Sequence, residues 1–137
     1  MVEAQNIKNI DQFADKSLLL VDDDNPFRER LARAMEKKGF AVSQAESVKN
    51  GIVLAKQKKP AFAVVDLRLG DGNGLQVVKE IQTSNSESRV IMLTGYGNIP
   101  TAVAAIKEGA IDYLAKPADA DDIERALLAD PKQKAAP

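Results

Sequence analysis

Short apolar runs that lack the alternation typical of half-buried strands recur along this chain. We predict strands at residues 17–21, 40–45, 61–65, 90–93 and 111–115. A strand without alternation is covered on both faces, and such strands are typical of a parallel sheet that lies between two layers of helices. This pattern constrains the fold more than any other feature of the sequence.

A segment with helical periodicity follows each predicted strand. We predict that Asn25 caps the first helix, that Gly39 ends it, and that Ser47 caps the second. Right-handed crossovers between parallel strands leave few possible topologies. The sequence therefore predicts an α/β fold, a doubly wound parallel sheet of five strands with helices on both faces.

The length of 137 residues corresponds to one domain. We expect an N-terminal extension at residues 1–16, where Ile7, Ile10 and Phe13 have roughly helical spacing, and a globular domain at residues 17–129. Residues 130–137 are expected to be a truncated linker.

The chain contains neither cysteine nor histidine, which excludes disulfides, thiolate or imidazole metal sites, and cysteine or histidine catalysis. A net charge of −1 argues against binding of nucleic acid by this chain itself. No apolar run reaches the length of a membrane span, and the N-terminus lacks a signal pattern, so we expect a cytoplasmic protein.

Polar groups follow four of the five predicted strands. The triplet Asp22 to Asp24 follows the first strand, Asp66 the third, Thr94 the fourth and Lys116 the fifth. In a parallel sheet these positions meet at one edge. Crowded carboxylates repel one another unless a cation joins them, and a purely oxygen ligand set favours Mg²⁺. Taken singly, each residue fits a helix cap or a solvated turn, but together they predict a site for a phosphoryl group on a carboxylate.

Four segments carry a resemblance to a known family: LLLVDDD (18–24), AVVDLRLGDGNGL (63–75), VIMLTGYG (90–97) and DYLAKPAD (112–119). Together they closely resemble the receiver domain of bacterial two-component response regulators, over about residues 17–129. The wording of LTGYGNI and DYLAKPADAD is also similar to the RegA/PrrA/ActR group of redox-responsive transcription regulators. The resemblance implies the flavodoxin-like strand order 2-1-3-4-5.

The resemblance also implies a role for each residue of the site. Asp66 corresponds to the phosphoacceptor, and Asp22 and Asp23 to the acidic pair that holds Mg²⁺. Arg68 occupies the position whose backbone carbonyl completes the metal shell. Asp24 extends the usual pair to three, and the sequence leaves open that it replaces Asp23.

The remaining motif residues correspond to the family's switch and phosphate contact. Thr94 matches the switch hydroxyl, Tyr113 the switch aromatic residue, and Lys116 the lysine that contacts the phosphate. Pro117 matches a proline that a cis peptide bond often precedes.

The implied function is signalling rather than turnover of a separate substrate. A sensor histidine kinase would phosphorylate Asp66, and the domain would catalyse only its own phosphorylation and dephosphorylation. The resulting switch would control an output domain absent from this chain, which alone would bind DNA. We expect the surface formed by helix four, strand five and helix five to support a homodimer.

Two alternatives remain. Asp22 and Asp24 also resemble the nucleophile and general acid of haloacid-dehalogenase-like phosphatases, but Pro26 stands where that motif has Thr or Val. An interaction domain of the same fold that is never phosphorylated is the other alternative, and the complete acceptor set argues against it.

Overall fold

The computed structural model describes residues 10–95, 99–107 and 109–129. A short 3-10 helix at Ile10–Gln12 precedes the main elements. The strands are β1 Ser17–Val21, β2 Ala41–Ala45, β3 Phe62–Asp66, β4 Arg68–Leu69, β5 Gly72–Asn73, β6 Arg89–Thr94 and β7 Asp112–Ala115. The helices are α1 Asn25–Lys37, α2 Val48–Lys58, α3 Gly74–Ser84, α4 Ile99–Lys107 and α5 Ala120–Leu128.

The five predicted strands form one parallel sheet in the order β2-β1-β3-β6-β7. Counted over these five strands alone, this is the order 2-1-3-4-5, so the predicted topology is confirmed. The order reverses between β1 and β3, where neighbouring crossovers leave on opposite faces and open a crevice at the carboxyl edge. Strand β3 lies at the centre of the sheet, and all five of its residues are buried.

Two apolar cores cover the two faces of the sheet. Alternate residues such as Val65 and Met92 pack with α2 and α3, whereas Val64 and Leu93 pack with α1 and α5. Because both faces are covered by helices, the central strands have no polar face, which explains the missing alternation in the sequence.

The cap of helix α1 differs from the prediction. Asp24, not Asn25, is the N-cap, and its carboxylate accepts the Phe27 N–H at 3.1 Å. The Asn25 side chain instead accepts a hydrogen bond from Arg28. Gly39 follows the end of the helix with a φ of +109°, in the left-handed region that favours glycine, as predicted.

The Gly-rich segment after β3, whose short strands the sequence does not predict, is an ordered hairpin. Strands β4 and β5 pair as a small antiparallel hairpin, with Leu69 opposite Gly72. Helix α3 begins directly after it at Gly74, where a Cβ would lie only 2.2 Å from the carbonyl oxygen of Asp66. Glycine is therefore required for this helix to start so close to β3.

Part of the N-terminal extension packs on the core. Ile10 is buried, and the Phe13 ring meets Phe62 edge-on with 5.1 Å between ring centroids. Ile7, the first residue of the predicted helical spacing, and the predicted linker at residues 130–137 lie outside the described residues. Within the described ranges, no helix is both long and apolar enough to span a bilayer.

Candidate functional site

Three of the predicted site residues meet at the carboxyl edge of the sheet. Asp22 follows β1, Asp66 ends β3, and Lys116 follows β7. The Lys116 ammonium lies 2.9 Å from Asp22 Oδ2 and 3.4 Å from Asp66 Oδ2. Both carboxylates are buried. Among the described side chains, the Lys116 ammonium is the nearest positive charge to both of them.

The two buried aspartates form an acidic cluster with Asp23. One carboxylate oxygen from each of Asp22, Asp23 and Asp66 lies within 4.8 Å of the others. Buried Asp22 Oδ2 lies 2.9 Å from the Lys116 ammonium and meets no other donor in the described part of the chain. Three carboxylates gathered around one ammonium fit a hard cation.

The third aspartate of the triplet has a different position. The Asp24 side chain caps helix α1, and its backbone N–H donates to Asp22 Oδ1 at 2.9 Å. Asp24 therefore orients Asp22 from outside the cluster. This arrangement favours Asp23 over Asp24 as the second acid of the predicted pair.

The charge on Asp66 is poorly compensated. Burial and the neighbouring Asp22 carboxylate raise the pKa of Asp66 from 3.8 to about 6, against the opposing effects of Lys116 and the Arg68 N–H. Burial lowers the pKa of Lys116, but its contacts with Asp22 and Asp66 outweigh this and raise that pKa overall. Among the described side chains, a single ammonium thus compensates three carboxylates, and a bound cation would relieve the excess negative charge.

Two residues of α1 that were not predicted from the sequence contact residues of the site. Arg28 is buried in α1 and donates to the Asp22 carbonyl at 2.8 Å and to Gln44 Oε1 at 2.9 Å. The Phe27 ring centroid lies 4.9 Å from the Lys116 ammonium, within range of a cation–π contact. The position of Arg28 on the apolar face of an amphipathic helix was the only signal in the sequence that could have indicated its contact with the site.

The loop after β3 is held by backbone hydrogen bonds. The Leu67 N–H donates to the Leu93 carbonyl at 2.9 Å, and the Gly74 N–H donates to the Leu67 carbonyl at 2.8 Å. Arg68 follows Leu67 at the start of the hairpin, and its N–H lies close enough to the Asp66 carboxylate to lower the pKa of that group. The loop therefore places the backbone of Arg68 beside the acidic cluster.

Thr94 and Tyr113 lie on neighbouring strands. Thr94 is buried at the end of β6, and half-buried Tyr113 on β7 pairs in register with Met92. Because side chains alternate along a strand, Thr94 and Met92 share a face, and Tyr113 packs into the core cluster on that face. The Thr94 carbonyl accepts the Lys116 N–H at 2.8 Å, which joins the two strand ends, and the Lys116–Pro117 peptide is cis.

A parallel sheet of this order, with an acidic cluster and a lysine at its carboxyl edge, defines the class of protein. The chain belongs to the response regulator receiver domain family, and the sequence pattern of that family matches residues 18–128. The resemblance drawn from the sequence is therefore confirmed.

Two curated relatives show which group of response regulators the chain most resembles among those compared. The chain is 61% identical over 123 residues to the acid tolerance regulatory protein ActR of Sinorhizobium medicae, covering 90% of this chain and 63% of ActR. It is 60% identical over 116 residues to the photosynthetic apparatus regulatory protein RegA of Rhodobacter capsulatus, covering 85% of this chain and 63% of RegA. The similarity to the RegA/PrrA/ActR group is thus confirmed, and the chain spans less than two thirds of either relative.

Solved structures agree with the fold. A response regulator from Burkholderia pseudomallei, with a phosphorylated aspartic acid, calcium and citrate, matches with a TM-score of 0.81 and 40% identity over 88% of this chain and 71% of that one. The receiver domain of NtrX from Brucella abortus matches with a TM-score of 0.71 and 34% identity over 80% and 97%. Neither these structures nor the curated relatives favour the phosphatase alternative.

Proposed function

We propose that Asp66 accepts a phosphoryl group from a sensor histidine kinase, with Mg²⁺ at the acidic cluster, and that the domain then switches an output domain. The observation that carries this proposal is the placement of Asp66 within 3.4 Å of the Lys116 ammonium and beside Asp22 and Asp23. This geometry offers a nucleophilic oxygen, a fixed positive charge and a set of metal ligands at one point.

The proposed transfer is an in-line displacement at phosphorus. An Asp66 carboxylate oxygen forms the new P–O bond while the P–N bond to the donor histidine breaks. The electron pair of the broken bond returns to the histidine ring, which takes up a proton. Lys116 neutralises charge on the transferred phosphoryl oxygens, and this stabilisation is the main contribution a protein can make to such a reaction.

The metal ligands proposed are the carboxylates of Asp22, Asp23 and Asp66, with the backbone carbonyl of Arg68. The crowding of the three carboxylates supports this assignment, because the Lys116 ammonium, 2.9 Å from Asp22 Oδ2, balances only one of their charges. Mg²⁺, when bound, supplies charge neutralisation and orients the phosphoryl oxygens. Four oxygen ligands or fewer from the protein suit Mg²⁺, which keeps several waters.

The proposed switch uses Thr94 and Tyr113. Phosphorylation adds a dianion next to Thr94, and its hydroxyl would then move toward the phosphoryl oxygens to donate a hydrogen bond. That movement frees space on the face of the sheet that Tyr113 shares, so the ring would move inward. Gly95 is exposed, and no described atom lies within 4 Å of the position of a Cβ there, which leaves room beside the phosphoryl group.

The proposed partners follow from the same scheme. A phosphohistidine donor implies a histidine kinase in the cytoplasm, and the regulatory names of ActR and RegA support a transcription-regulating output domain that alone contacts DNA. A homodimer through α4, β7 and α5 is supported by Val103 and Ile106, which are 44% and 39% exposed and lie three residues apart on α4. In this proposal the domain has no substrate other than its own aspartate.

Phosphorylation by a small donor tests the proposal. The protein is incubated with acetyl phosphate and MgCl₂, and the added phosphate is located by mass spectrometry after reductive trapping. We expect a single label on Asp66, and none on the Asp66→Asn variant or after chelation of Mg²⁺. A label on Asp22, or one that persists on Asp66→Asn, would support the phosphatase alternative instead.

A further inference from the structure

The turn of the β4–β5 hairpin reaches the start of helix α2. Asp71 Oδ1 accepts the Val48 N–H at 2.8 Å, and Asp71 Oδ2 accepts the Lys49 N–H at 3.1 Å. These hydrogen bonds join residues 23 and 22 positions apart, so they connect two separate elements of the fold. The side chain is exposed, yet the same two N–H groups hold the pKa of Asp71 below its ordinary value.

Two residues divide the capping of α2 between them. Ser47 Oγ accepts the Asn50 N–H at 3.1 Å, and the Ser47 carbonyl accepts the Gly51 N–H at 2.9 Å. Asp71 accepts the first two N–H groups of the helix and Ser47 Oγ accepts the third, so the N–H groups of the first three helical residues, which lack a partner within the helix, are all satisfied. Ser47 acts from the helix's own cap position, whereas Asp71 acts from the loop that borders the acidic cluster.

The hairpin contacts the acidic cluster at its other side. The Arg68 N–H lies close enough to the Asp66 carboxylate to lower its pKa, and a Cβ on Gly70, the neighbour of Asp71, would lie 3.8 Å from Asp23 Oδ2. The strands of the hairpin have two residues each, and so short a ladder is not stable alone. Its position therefore depends on its anchors, which are the backbone hydrogen bonds of Leu67 at its base, the burial of Leu69 in the core and, at its tip, the hydrogen bonds of Asp71.

We propose that Asp71 is a positioning residue of the metal and phosphoryl site. By joining the tip of the hairpin to α2, it holds the backbone at Arg68 and Gly70 in place against Asp66 and Asp23. Without this anchor the hairpin gains freedom, and the binding of a cation must restrict that freedom again at the expense of affinity. This inference rests on the proposed function, because it takes the acidic cluster as the Mg²⁺ site.

Calorimetric titration with MgCl₂ tests the proposal on the unphosphorylated protein. The variants are Asp71→Ala, Asp71→Asn and Ser47→Ala, the last of which removes a cap from the same helix without touching the hairpin. We expect Asp71→Ala to weaken Mg²⁺ binding about tenfold, the lower end of the effects seen when residues that orient metal ligands are lost. Ser47→Ala should leave the affinity unchanged, although both alanine variants lower the midpoint of urea unfolding.

Asp71→Asn separates anchoring from charge. Asparagine removes the same charge as alanine but keeps one carbonyl oxygen that can accept one of the two N–H groups, so we expect an intermediate affinity. Asp71→Asn also keeps the test available should Asp71→Ala fail to fold.

Two results would overturn the positioning role. One is an Mg²⁺ affinity of Asp71→Ala equal to that of Ser47→Ala. The other is an equal loss in both Asp71 variants that disappears at about 0.5 M KCl, where charges more than ~4 Å apart are largely screened, because the effect would then be long-range charge alone. A wild-type protein that binds no Mg²⁺ would instead contradict the proposed function itself.

Discussion

Removing the charge of Asp66 should stabilise the metal-free protein. Asp66→Asn keeps the shape of the side chain, but it relieves the repulsion with Asp22. The pKa of Asp66 is raised from 3.8 to about 6, chiefly by burial and then by Asp22. Each pKa unit between the folded and unfolded states corresponds to ~1.4 kcal/mol, so ionisation of Asp66 costs the folded state about 3 kcal/mol at neutral pH.

The pH dependence of stability shows independently whether the Asp66 charge stabilises or destabilises the fold. Between pH 3.8 and about 6 the folded state holds the Asp66 proton more tightly than the unfolded chain does. The free energy of unfolding should therefore fall as the pH rises through this window. Above the window the full cost of ionising Asp66 in the folded state should be present. Asp66→Asn removes this contribution, so its advantage over the wild type should be absent at the acidic end and largest at neutral pH.

Urea unfolding in the presence of EDTA, at several pH values, measures the effect. Glu36→Gln is the matched control, since it makes the same chemical change at an exposed position of α1 and should alter stability by no more than about 0.5 kcal/mol. Added Mg²⁺ should stabilise the wild type more than Asp66→Asn, because only the wild type keeps all three carboxylates. An Asp66→Asn variant no more stable than the wild type at neutral pH would refute the reasoning.

Four further substitutions test other parts of the protein. Asp23→Asn should weaken Mg²⁺ binding about tenfold in calorimetry, whereas Asp24→Asn should leave the affinity and the stability nearly unchanged, because asparagine caps a helix as well as aspartate does; a larger affinity loss for Asp24→Asn would reverse the assignment within the triplet. Gly74→Ala should destabilise the protein in urea by about 3 kcal/mol or more, since the added Cβ meets the Asp66 carbonyl oxygen at 2.2 Å; an unchanged midpoint would show that α3 can shift freely. Val103→Glu should shift sedimentation of the phosphorylated protein from dimer to monomer, and a strict monomer before and after phosphorylation of the wild type would exclude dimerisation through this surface.

The fold followed from the sequence because burial on two faces leaves a clear pattern. Strands β3 and β6 each contain an unbroken apolar run, and helical periodicity between such runs left few topologies. Site residues were predictable for a related reason. The strand ends of a parallel sheet share one edge, so Asp66 and Lys116 could be placed together although 50 residues separate them.

Local hydrogen-bond partners and very short strands were harder to predict from the sequence. Asn25 and Asp24 are both good helix caps, and only the structure decided between them, because Arg28 engages the Asn25 side chain. The small β4–β5 hairpin also escaped prediction, since two-residue strands carry no periodicity.

The supports of the site depended wholly on tertiary structure. Arg28 looks like an ordinary helical arginine, and Asp71 like a turn residue, until the chain brings Gln44 and the start of α2 beside them. Residue type and spacing determine which strands are buried and which groups stand at their ends, because burial and alternation act along the chain. Which donor meets which acceptor is decided by packing between elements, because those partners are close in space and distant in sequence.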